Sequence, residues 1–254
     1  MTDATRGALY PERLPDFTRL RPEGAVEELV EWFWIPVWDL ADGVLSPQRT
    51  LAYPAANLVV ESGAATLWGA TTEATQRELT GRGWAVGAVL RPAALAALCA
   101  QPGGLIDGHL EVDAPDLVAS VTAVMPADIP AATSAFGAWL CARVGEPSGE
   151  ARLANDMARL LMTDSAVLRV EDAAARLSVS PRKLQRLAHR TVGLPPAAVI
   201  RRRRLQEAAQ RVRENPDEPL AAIAAELGYS DQAHLAADFR TVLGLTATRY
   251  RAGE

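Results

Sequence analysis

The spacing of the apolar residues changes about a third of the way along the chain. Up to residue 90 they occur in short runs separated by Pro, Gly, Ser or Thr, which is typical of strands joined by tight turns. After Arg91 and Pro92 they recur every three or four residues, as on helices that bury one face. The predicted strands are EWFWIPVWDL, RTLAY, NLVVE, AATLWGA, TQRELT and GWAVGAVL. The predicted helices are a short one in PEGAVEELV, then AALAALCA, 116–125, 131–144 and 151–162.

This pattern predicts an α+β protein with two domains. The N-terminal domain is expected to be mostly β, a barrel or sandwich of cupin-like form with flanking helices, and the C-terminal domain all-α. The segment GEPSGE at 145–150 is the best candidate for a linker. The expected divisions are a poorly structured lead-in at 1–22, an N-terminal domain at 23–145, a linker and connecting helix at 146–165, and a C-terminal helical domain at 166–254.

The C-terminal third contains a first pair of short amphipathic helices. Ser178 and Val179 form the turn between them, and Ser180 followed by Pro181 is a strong signal for the start of the second helix. The predicted inward-facing residues are Val170, Ala173, Ala174 and Leu177 on the first helix and Leu184, Leu187 and Ala188 on the second. The opposite face of the second helix carries Arg182, Gln185, Arg186 and His189, with Lys183 beside them.

Long polar donors on one helical face suit recognition of DNA. The major groove admits one helix, and Arg or Gln can make paired hydrogen bonds to guanine or adenine edges. A solvated surface helix would show the same pattern, and it is the commoner explanation for a helix considered alone. A second unit of the same design shifts the balance toward DNA.

That second unit occupies residues 219–251. Gly228 can end its first helix and Ser230 can cap its second. The predicted inward-facing residues are Leu220, Ile223, Ala224 and Leu227, then Leu235, Phe239 and Val242. The outward face of the second helix carries Gln232, Ala233, Ala236 and Ala237. With one amide and several methyl groups, this helix should discriminate between bases less than the first.

A helix predicted at about 196–213 connects the two units and carries Arg201–Arg204. Helical spacing prevents all four guanidinium groups from facing one way, so a mainly structural and phosphate-contacting role is expected.

These residues resemble the DNA-binding domain of AraC-type transcriptional regulators. The resemblance lies in SPRKLQRLAHRTVGLPPAAVIRRRRLQEA and in AAELGYSDQAHLAADFRTVLGLTATRYR. It implies two helix-turn-helix units that enter successive major-groove segments. It also implies base contacts from Arg182, Gln185, Arg186 and Gln232. With their neighbours on the same surfaces, the candidate DNA-binding residues are Ser180, Arg182, Lys183, Gln185, Arg186, His189, Arg201, Ser230, Gln232, Ala233 and Ala236. The chain departs from the family where Ala236 and Ala237 replace polar or basic residues and where Ala247 replaces a proline.

The N-terminal half resembles an uncharacterised domain that precedes this unit in many bacterial regulators. The likeness covers about 12–120 and lies in VEWFW and AVGAVLRPAALAAL. Its aromatic residues either fill the core or line a barrel mouth that holds an apolar or aromatic effector. The candidate ligand-binding residues are Trp32, Trp34, Trp38, Tyr53, Trp68 and Trp84. Glu61 and Arg91 are candidate anchors, although an exposed strand end is the commoner explanation for each.

The distribution of charge supports nucleic acid as a partner. The net charge is −5, but residues 166–254 hold 15 Arg or Lys and 10 Asp or Glu, while the rest holds 11 and 21. A basic module attached to an acidic domain is typical of DNA-binding proteins. No apolar run is long enough to span a membrane and no signal pattern opens the chain, so a cytoplasmic protein without membrane contact is expected.

No catalytic or metal-binding constellation is recognisable. The N-terminal half has one histidine, His109, so we expect neither a metal nor another cofactor. The only cysteines, Cys99 and Cys141, lie in apolar helical segments, which disfavours a DNA-repair alkyl-transfer enzyme.

The leading hypothesis is a non-enzymatic, sequence-specific transcriptional regulator in which residues 166–254 bind DNA and residues 23–145 sense a small molecule or dimerise. Its expected partners are double-stranded DNA, an apolar or aromatic effector, a second copy of the chain and, for an activator, RNA polymerase. A ligand-independent architectural DNA-binding protein is the alternative.

Overall fold

The N-terminal part of the protein is built on one antiparallel sheet. The computed structural model describes residues 16–50 and 52–251. Its strands are β1 (Asp16–Leu20), β2 (Val30–Asp39), β3 (Leu45–Thr50), β4 (Asn57–Glu61), β5 (Ala64–Trp68), β6 (Thr75–Thr80), β7 (Arg82–Trp84), β8 (Val86–Leu90) and β9 (His109–Glu111). Seven strands form the main sheet in the order β1-β2-β8-β4-β5-β9, with β7 also pairing with β2, and β3 pairs with β6 in a separate ribbon.

The alternation along β2 decides which face of the sheet meets the core. Phe33 and Ile35 are buried in the N-terminal hydrophobic core, whereas Trp32 and Trp34 have the opposite parity and lie on the other face. Trp34 stands opposite Gly87 of β8, where a Cβ would approach the indole to 2.0 Å. The glycine therefore makes room for a large ring on the sheet surface.

Three helices cover the core face of this sheet. They are α1 (Pro92–Leu98), α2 (Pro115–Thr122) and α3 (Ile129–Val144). Leu117 of α2 and Phe136 of α3 are fully buried against the strands, and the rings of Phe33 and Phe136 lie 5.7 Å apart. Within the described ranges the outermost strands β1 and β9 pair with different neighbours, so the sheet is not a closed barrel. The predicted β-rich N-terminal domain with flanking helices is confirmed, and its main sheet is open rather than closed into a barrel.

Three local predictions need correction. Residues 16–20, expected in the lead-in, form β1 because they pair with β2, Arg19 opposite Trp34; the lead-in up to residue 15 lies outside the described residues. The strand predicted at RTLAY ends earlier, since β3 covers Leu45–Thr50 and residues 52–56 form a loop. The first predicted helix is a 3-10 turn, Gly24–Glu28, that buries only Val26.

The C-terminal part is all-helical. Its helices are α4 (Gly149–Thr163), α5 (Val170–Arg176), α6 (Pro181–Thr191), α7 (Pro196–Glu214), α8 (Leu220–Glu226), α9 (Gln232–Leu243) and α10 (Ala247–Arg251). One core joins α4, α5, α6 and the start of α7, and a second joins the rest of α7 with α8, α9 and α10. In the described part of the chain, no helix is long and apolar enough to cross a membrane.

Helix α4 does more than connect the two halves. Met157 and Leu161 are fully buried in the core of the first helical pair, so α4 packs as part of that unit. On its other side, Asn155 accepts a hydrogen bond from the Ala93 amide at 3.0 Å and donates to the Glu28 carbonyl at 2.8 Å. One buried amide thus ties α4 to the N-terminal domain through its own donor and acceptor.

Loops of the N-terminal domain also contact the connecting helix and the second unit. Ala52 is buried in the core of the second unit, and its carbonyl accepts a hydrogen bond from Gln206 Nε2 at 3.1 Å. The Ala74 amide donates to the Val242 carbonyl at the end of α9 at 2.9 Å. The N-terminal domain therefore contacts both helical units.

Candidate nucleic-acid interface

The first unit holds α6 firmly by its inner face and its start. The Ser180 hydroxyl accepts a hydrogen bond from the Lys183 amide at 3.2 Å, as an N-cap should, and Pro181 occupies the first helical position. Leu184 and Leu187 are buried in the core. The turn before the cap places Ser178 at φ 53, a left-handed conformation that sharply redirects the chain between α5 and α6.

The outer face of α6 is exposed and unpaired. Arg182, Gln185, Arg186 and His189 are exposed as the spacing predicted, and Lys183 lies beside them. Among the described residues, none of these five side chains has a hydrogen bond or ion pair within the protein. Arg190 on the same helix differs, because its guanidinium pairs with Glu150 of α4 at 2.5 Å. The donors of this face are therefore free to bind another molecule.

The second unit begins its recognition helix one residue later than predicted. The cap of α9 is Asp231, whose Oδ1 accepts a hydrogen bond from the His234 amide at 2.8 Å, rather than Ser230. Both residue types cap helices, but only Asp231 stands three residues before that amide. Ser230 Oγ instead lies 3.2 Å from His234 Nδ1. Gly228 follows α8 at φ 71, as expected of a residue that ends a helix.

The outer face of α9 carries far fewer hydrogen-bonding side chains than that of α6. Gln232 and Ala233 at its start are exposed, and Ala236 and Ala237 are half-buried. The face thus presents one amide and a small, close-fitting apolar surface. Such a surface can approach a groove closely, but it has few groups that distinguish base edges.

A buried carboxylate in α9 is the main feature that sequence reasoning missed. The side chain of Asp238 is 1% exposed, and both its oxygens accept hydrogen bonds at 3.0 Å from Nε of Arg201. This pairing raises the pKa of the Arg201 guanidinium, chiefly through the hydrogen bond to Asp238. The spacing of Leu235 and Val242 already placed position 238 on the inner face, so a search for its partner would have pointed to α7.

The other arginines of the run point away from one another. Arg202 donates to the Thr71 carbonyl of the N-terminal domain at 3.1 Å, and burial lowers the pKa of its guanidinium. Arg203 is fully buried and donates to the carbonyls of Asp164 and of Val167, the latter at 2.8 Å. The guanidinium of Arg204 lies 4.1 Å from the centre of the Tyr229 ring. Together with Arg201, this run joins four neighbouring parts of the fold.

The candidate ligand-binding aromatic residues do not form one cluster. Trp32 and Tyr53 meet edge to face with ring centres 5.4 Å apart. Trp34 donates to Asn57 Oδ1 at 2.9 Å, and Trp38 donates to the Thr80 carbonyl at 3.1 Å. The remaining two lie elsewhere: Trp68 stacks on His109 at 4.4 Å, and Trp84 packs against the N-terminal core. Only the first pair lines a cleft, which lies between the sheet and α4.

The polar groups singled out as anchors or reactive groups have ordinary surroundings. Glu61 pairs with Arg77 at 2.6 Å, and Arg91 pairs with Glu31 at 3.1 Å. Cys99 is buried and Cys141 is half-buried. In the ranges that the structure describes, no three His, Cys, Asp or Glu side chains group as a metal ion would require.

The comparisons with known families assign both domains. Residues 173–253 match the family described as a helix-turn-helix domain, which is of the AraC type, and residues 18–110 match a domain of unknown function, DUF6597. The chain thus joins an AraC-type helix-turn-helix domain near its C-terminus to an N-terminal DUF6597 domain. It is a DNA-binding transcription regulator, and α6 and α9 are the second helices of its two helix-turn-helix units.

Individual solved structures resemble the chain only distantly. The C-terminal domain of AraT, a response regulator from Geobacillus stearothermophilus, is 23% identical over 42% of this chain and 89% of its own, with a TM-score of 0.38. ToxT from Vibrio cholerae is 9% identical over 93% of this chain and 97% of its own, with a TM-score of 0.43. The AraC-like transcriptional activator CuxR is 15% identical over 77% and 87%, with a TM-score of 0.24. No curated protein matches the chain.

Proposed function

We propose that this regulator binds a specific operator by placing α6 and α9 in two successive major-groove segments of one duplex. The observation that carries the proposal is the outer face of α6, where Arg182, Gln185 and Arg186 are exposed without partners in the described protein. Leaving three strong donors without intramolecular partners brings the fold no benefit. It suits base edges, to which Arg and Gln can each make two hydrogen bonds.

The two helices would contribute unequally. Helix α6 supplies most of the base contacts, with Ser180, Lys183 and His189 placed for neighbouring phosphates or bases. Helix α9 contributes Gln232 and the apolar contacts of Ala233 and Ala236, which suit thymine methyl groups. The operator should therefore contain one strongly specified half and one weakly specified half, about one helical turn apart. If the two helices lie closer together than a turn, the DNA bends to meet both.

Arg201 and Ser230 would support the interface rather than specify bases. Arg201 is half-exposed and already bound to Asp238, so it can present its outer edge to a phosphate while fixing α9. Ser230 lies at the tip of α9 beside His234. Its hydroxyl can reach the backbone of the DNA in the manner common to residues near helix starts.

The test begins with selection of bound sequences from random DNA, using the full-length protein. Against the selected operator, Arg182→Ala or Arg186→Ala should each lose about 1–3 kcal/mol of binding free energy and relax specificity at one or two positions. The matched control is Arg190→Ala on the same helix, whose guanidinium faces Glu150 and which should keep its specificity. An equal loss on every DNA sequence would show that these residues contact only phosphates.

Control of DNA binding would come from the N-terminal domain, through an effector or through dimerisation. Ala52 of that domain packs in the core of the second unit, and Asn155 of α4 binds the backbone of Ala93 and Glu28, so the N-terminal domain has a direct path to both units. For an activator, RNA polymerase would be a further partner. Sedimentation of the full chain with and without operator DNA would distinguish a dimer that forms in solution from two monomers that assemble on DNA.

A further inference from the structure

The second helices of the two units can be aligned position by position from their caps. Counted from Ser180 in α6 and from Asp231 in α9, the buried positions of the two helices coincide. They are Leu184, Leu187, Ala188 and Thr191 in α6, and Leu235, Asp238, Phe239 and Val242 in α9. Because the same positions face inward, each outward-facing position of α6 has a counterpart in α9.

The outward-facing counterparts differ in chemistry. Where α6 has its three base-reading candidates, α9 has only methyl groups. The matched pairs are Arg182 and Ala233, Gln185 and Ala236, and Arg186 and Ala237. One turn further on the relation is reversed, because α6 has His189 where α9 has Arg240. Helix α9 thus carries its long cationic side chain toward the far end of its outer face.

Arg240 lies on the same face as the small residues of α9. Successive residues of a helix are turned by about 100°, so in projection Arg240 falls between Ala233 and Ala236. Its side chain is exposed. Among the described residues, its guanidinium has no hydrogen bond, ion pair or ring contact. The face that α9 turns outward therefore ends in an unpaired positive charge.

This lack of a partner sets Arg240 apart from its neighbours. In the described part of α7 to α10, the other arginines all interact with further groups of the protein. They are Arg201, Arg202, Arg203, Arg204, Arg211, Arg213, Arg249 and Arg251. A free arginine on a surface helix is common and means little alone. Here it stands on the face that the proposed mode of binding turns toward DNA.

The length of α9 decides which part of the DNA Arg240 can reach. Gln232 and Arg240 are eight residues apart, which corresponds to about 12 Å along the helix axis. The major groove is itself about 12 Å wide. When the start of α9 enters the groove, Arg240 stands beside the phosphates that border it. The short side chains of Ala233 and Ala236 allow the close approach that this contact needs.

We propose that Arg240 binds a phosphate of the DNA backbone and makes the second unit the electrostatic anchor of the regulator, while the first unit selects the sequence. This proposal rests on the proposed mode of DNA binding and deepens it. A phosphate contact requires a positive charge but no particular base. The anchor should therefore strengthen binding to every DNA sequence by the same factor.

Titrations of two labelled duplexes over a range of salt concentrations test the anchor. One duplex is the selected operator, and the other has the same length and composition in scrambled order. Arg240→Ala should weaken binding to both about fivefold and lower the slope of log affinity against log salt by about 1. Arg240→Lys should stay within about twofold of the wild type, because a phosphate accepts lysine as a point charge. Arg182→Ala should instead weaken operator binding more than scrambled binding.

The matched control is Arg143→Ala in the last turn of α3, on the N-terminal domain. Arg143 is also exposed, and its replacement removes the same charge from the protein. Because salt screens a charge that does not contact the DNA, this variant should keep both affinities within about twofold and leave the salt slope unchanged. Urea unfolding should show Arg240→Ala to be as stable as the wild type, since the guanidinium has no partner in the described protein and alanine favours helix.

The outcomes separate the anchor from the proposed function. Unchanged affinity and salt slope in Arg240→Ala would overturn the anchor, and so would a loss confined to the operator, which would make Arg240 a base-reading residue. If both duplexes respond as expected but no operator can be selected, sequence-specific binding fails and the anchor stands. If Arg182→Ala relaxes specificity while Arg240→Ala has no effect, the anchor fails and the proposed function stands.

Discussion

The buried carboxylate of Asp238 leads to an asymmetric prediction. Asp238 is enclosed in the second unit and is compensated by Arg201, whose own side chain is 54% exposed. Asp238 stands at the same distance from its helix cap as Leu187 does in the first unit, where the residue is also buried. Arg201→Ala should therefore destabilise the protein much more than Asp238→Leu, although each removes the same ion pair.

The magnitude follows from what each change leaves behind. Breaking a buried pair by removing one partner costs about 3–5 kcal/mol when the remaining charge has no access to water. Arg201 is half-exposed, so water can enter where its guanidinium stood, and we expect about 2–3 kcal/mol for Arg201→Ala. Asp238→Leu removes the buried charge and keeps apolar volume, while Arg201 can turn to solvent. That variant should lie within about 1 kcal/mol of the wild type.

Urea unfolding followed by far-ultraviolet circular dichroism measures both effects. The variant Arg201→Ala with Asp238→Leu completes the cycle and should recover most of the stability lost in Arg201→Ala alone. The same double variant isolates the role of Arg201 at DNA. If its guanidinium contacts a phosphate, the double variant is stable but binds DNA less tightly, and the slope of log affinity against log salt falls by about 1.

The reasoning would be refuted by either of two results. One is an Arg201→Ala variant as stable as the wild type, which would mean that Asp238 is not compensated by this residue. The other is a double variant no more stable than Arg201→Ala, which would mean that the loss does not arise from the stranded carboxylate.

Three other changes probe the packing. Arg203→Met should cost about 1–3 kcal/mol in thermal unfolding, because it leaves the buried Val167 carbonyl without a donor and leaves the Asp164 carbonyl with only the Val167 amide; an unchanged stability would contradict this. The fragment 146–254 should fold and bind operator DNA. The shorter fragment 166–254 should not fold, because it lacks the α4 residues that fill the core of the first unit. Circular dichroism spectra showing the same helix content per residue in both fragments would be inconsistent with that packing. Gly193→Ala should lower the melting temperature, since φ is 84 and a Cβ would lie 2.8 Å from the Pro102 backbone; an unchanged melting temperature would show that this turn yields easily.

The local sequence predicted the helical units well because their signals are local. Ser180 followed by Pro181 located the start of α6, and the spacing of Leu184 and Leu187 identified its outer face. The cap of α9 was misplaced because Ser230 and Asp231 are both good cap residues and are adjacent. The cap is the residue three positions before the backbone amide that needs a partner, here that of His234. Which amide this is depends on where α9 begins, and the sequence does not fix that point.

Contacts between distant segments could not be inferred in the same way. Ala52 enters the core of the second unit, although alanine in a loop gives no sign of burial. The strand β1 was not expected because its five residues are too short to show a period, and pairing with β2 makes it a strand. The cleft depends on how α4 docks on the sheet through Asn155, which no periodicity reveals.

The outer face of α6 also bears on how such a regulator can diversify. Because Arg182, Gln185 and Arg186 make no polar contacts elsewhere in the described protein, a lineage can exchange them at little cost to the fold. The inner face of α9 lacks that freedom, since the buried Asp238 anchors it to Arg201. If the proposed mode of binding holds, promoters captured by descendants of this chain should differ chiefly in the stretch that faces α6, because the stretch that faces α9 is weakly specified in all of them.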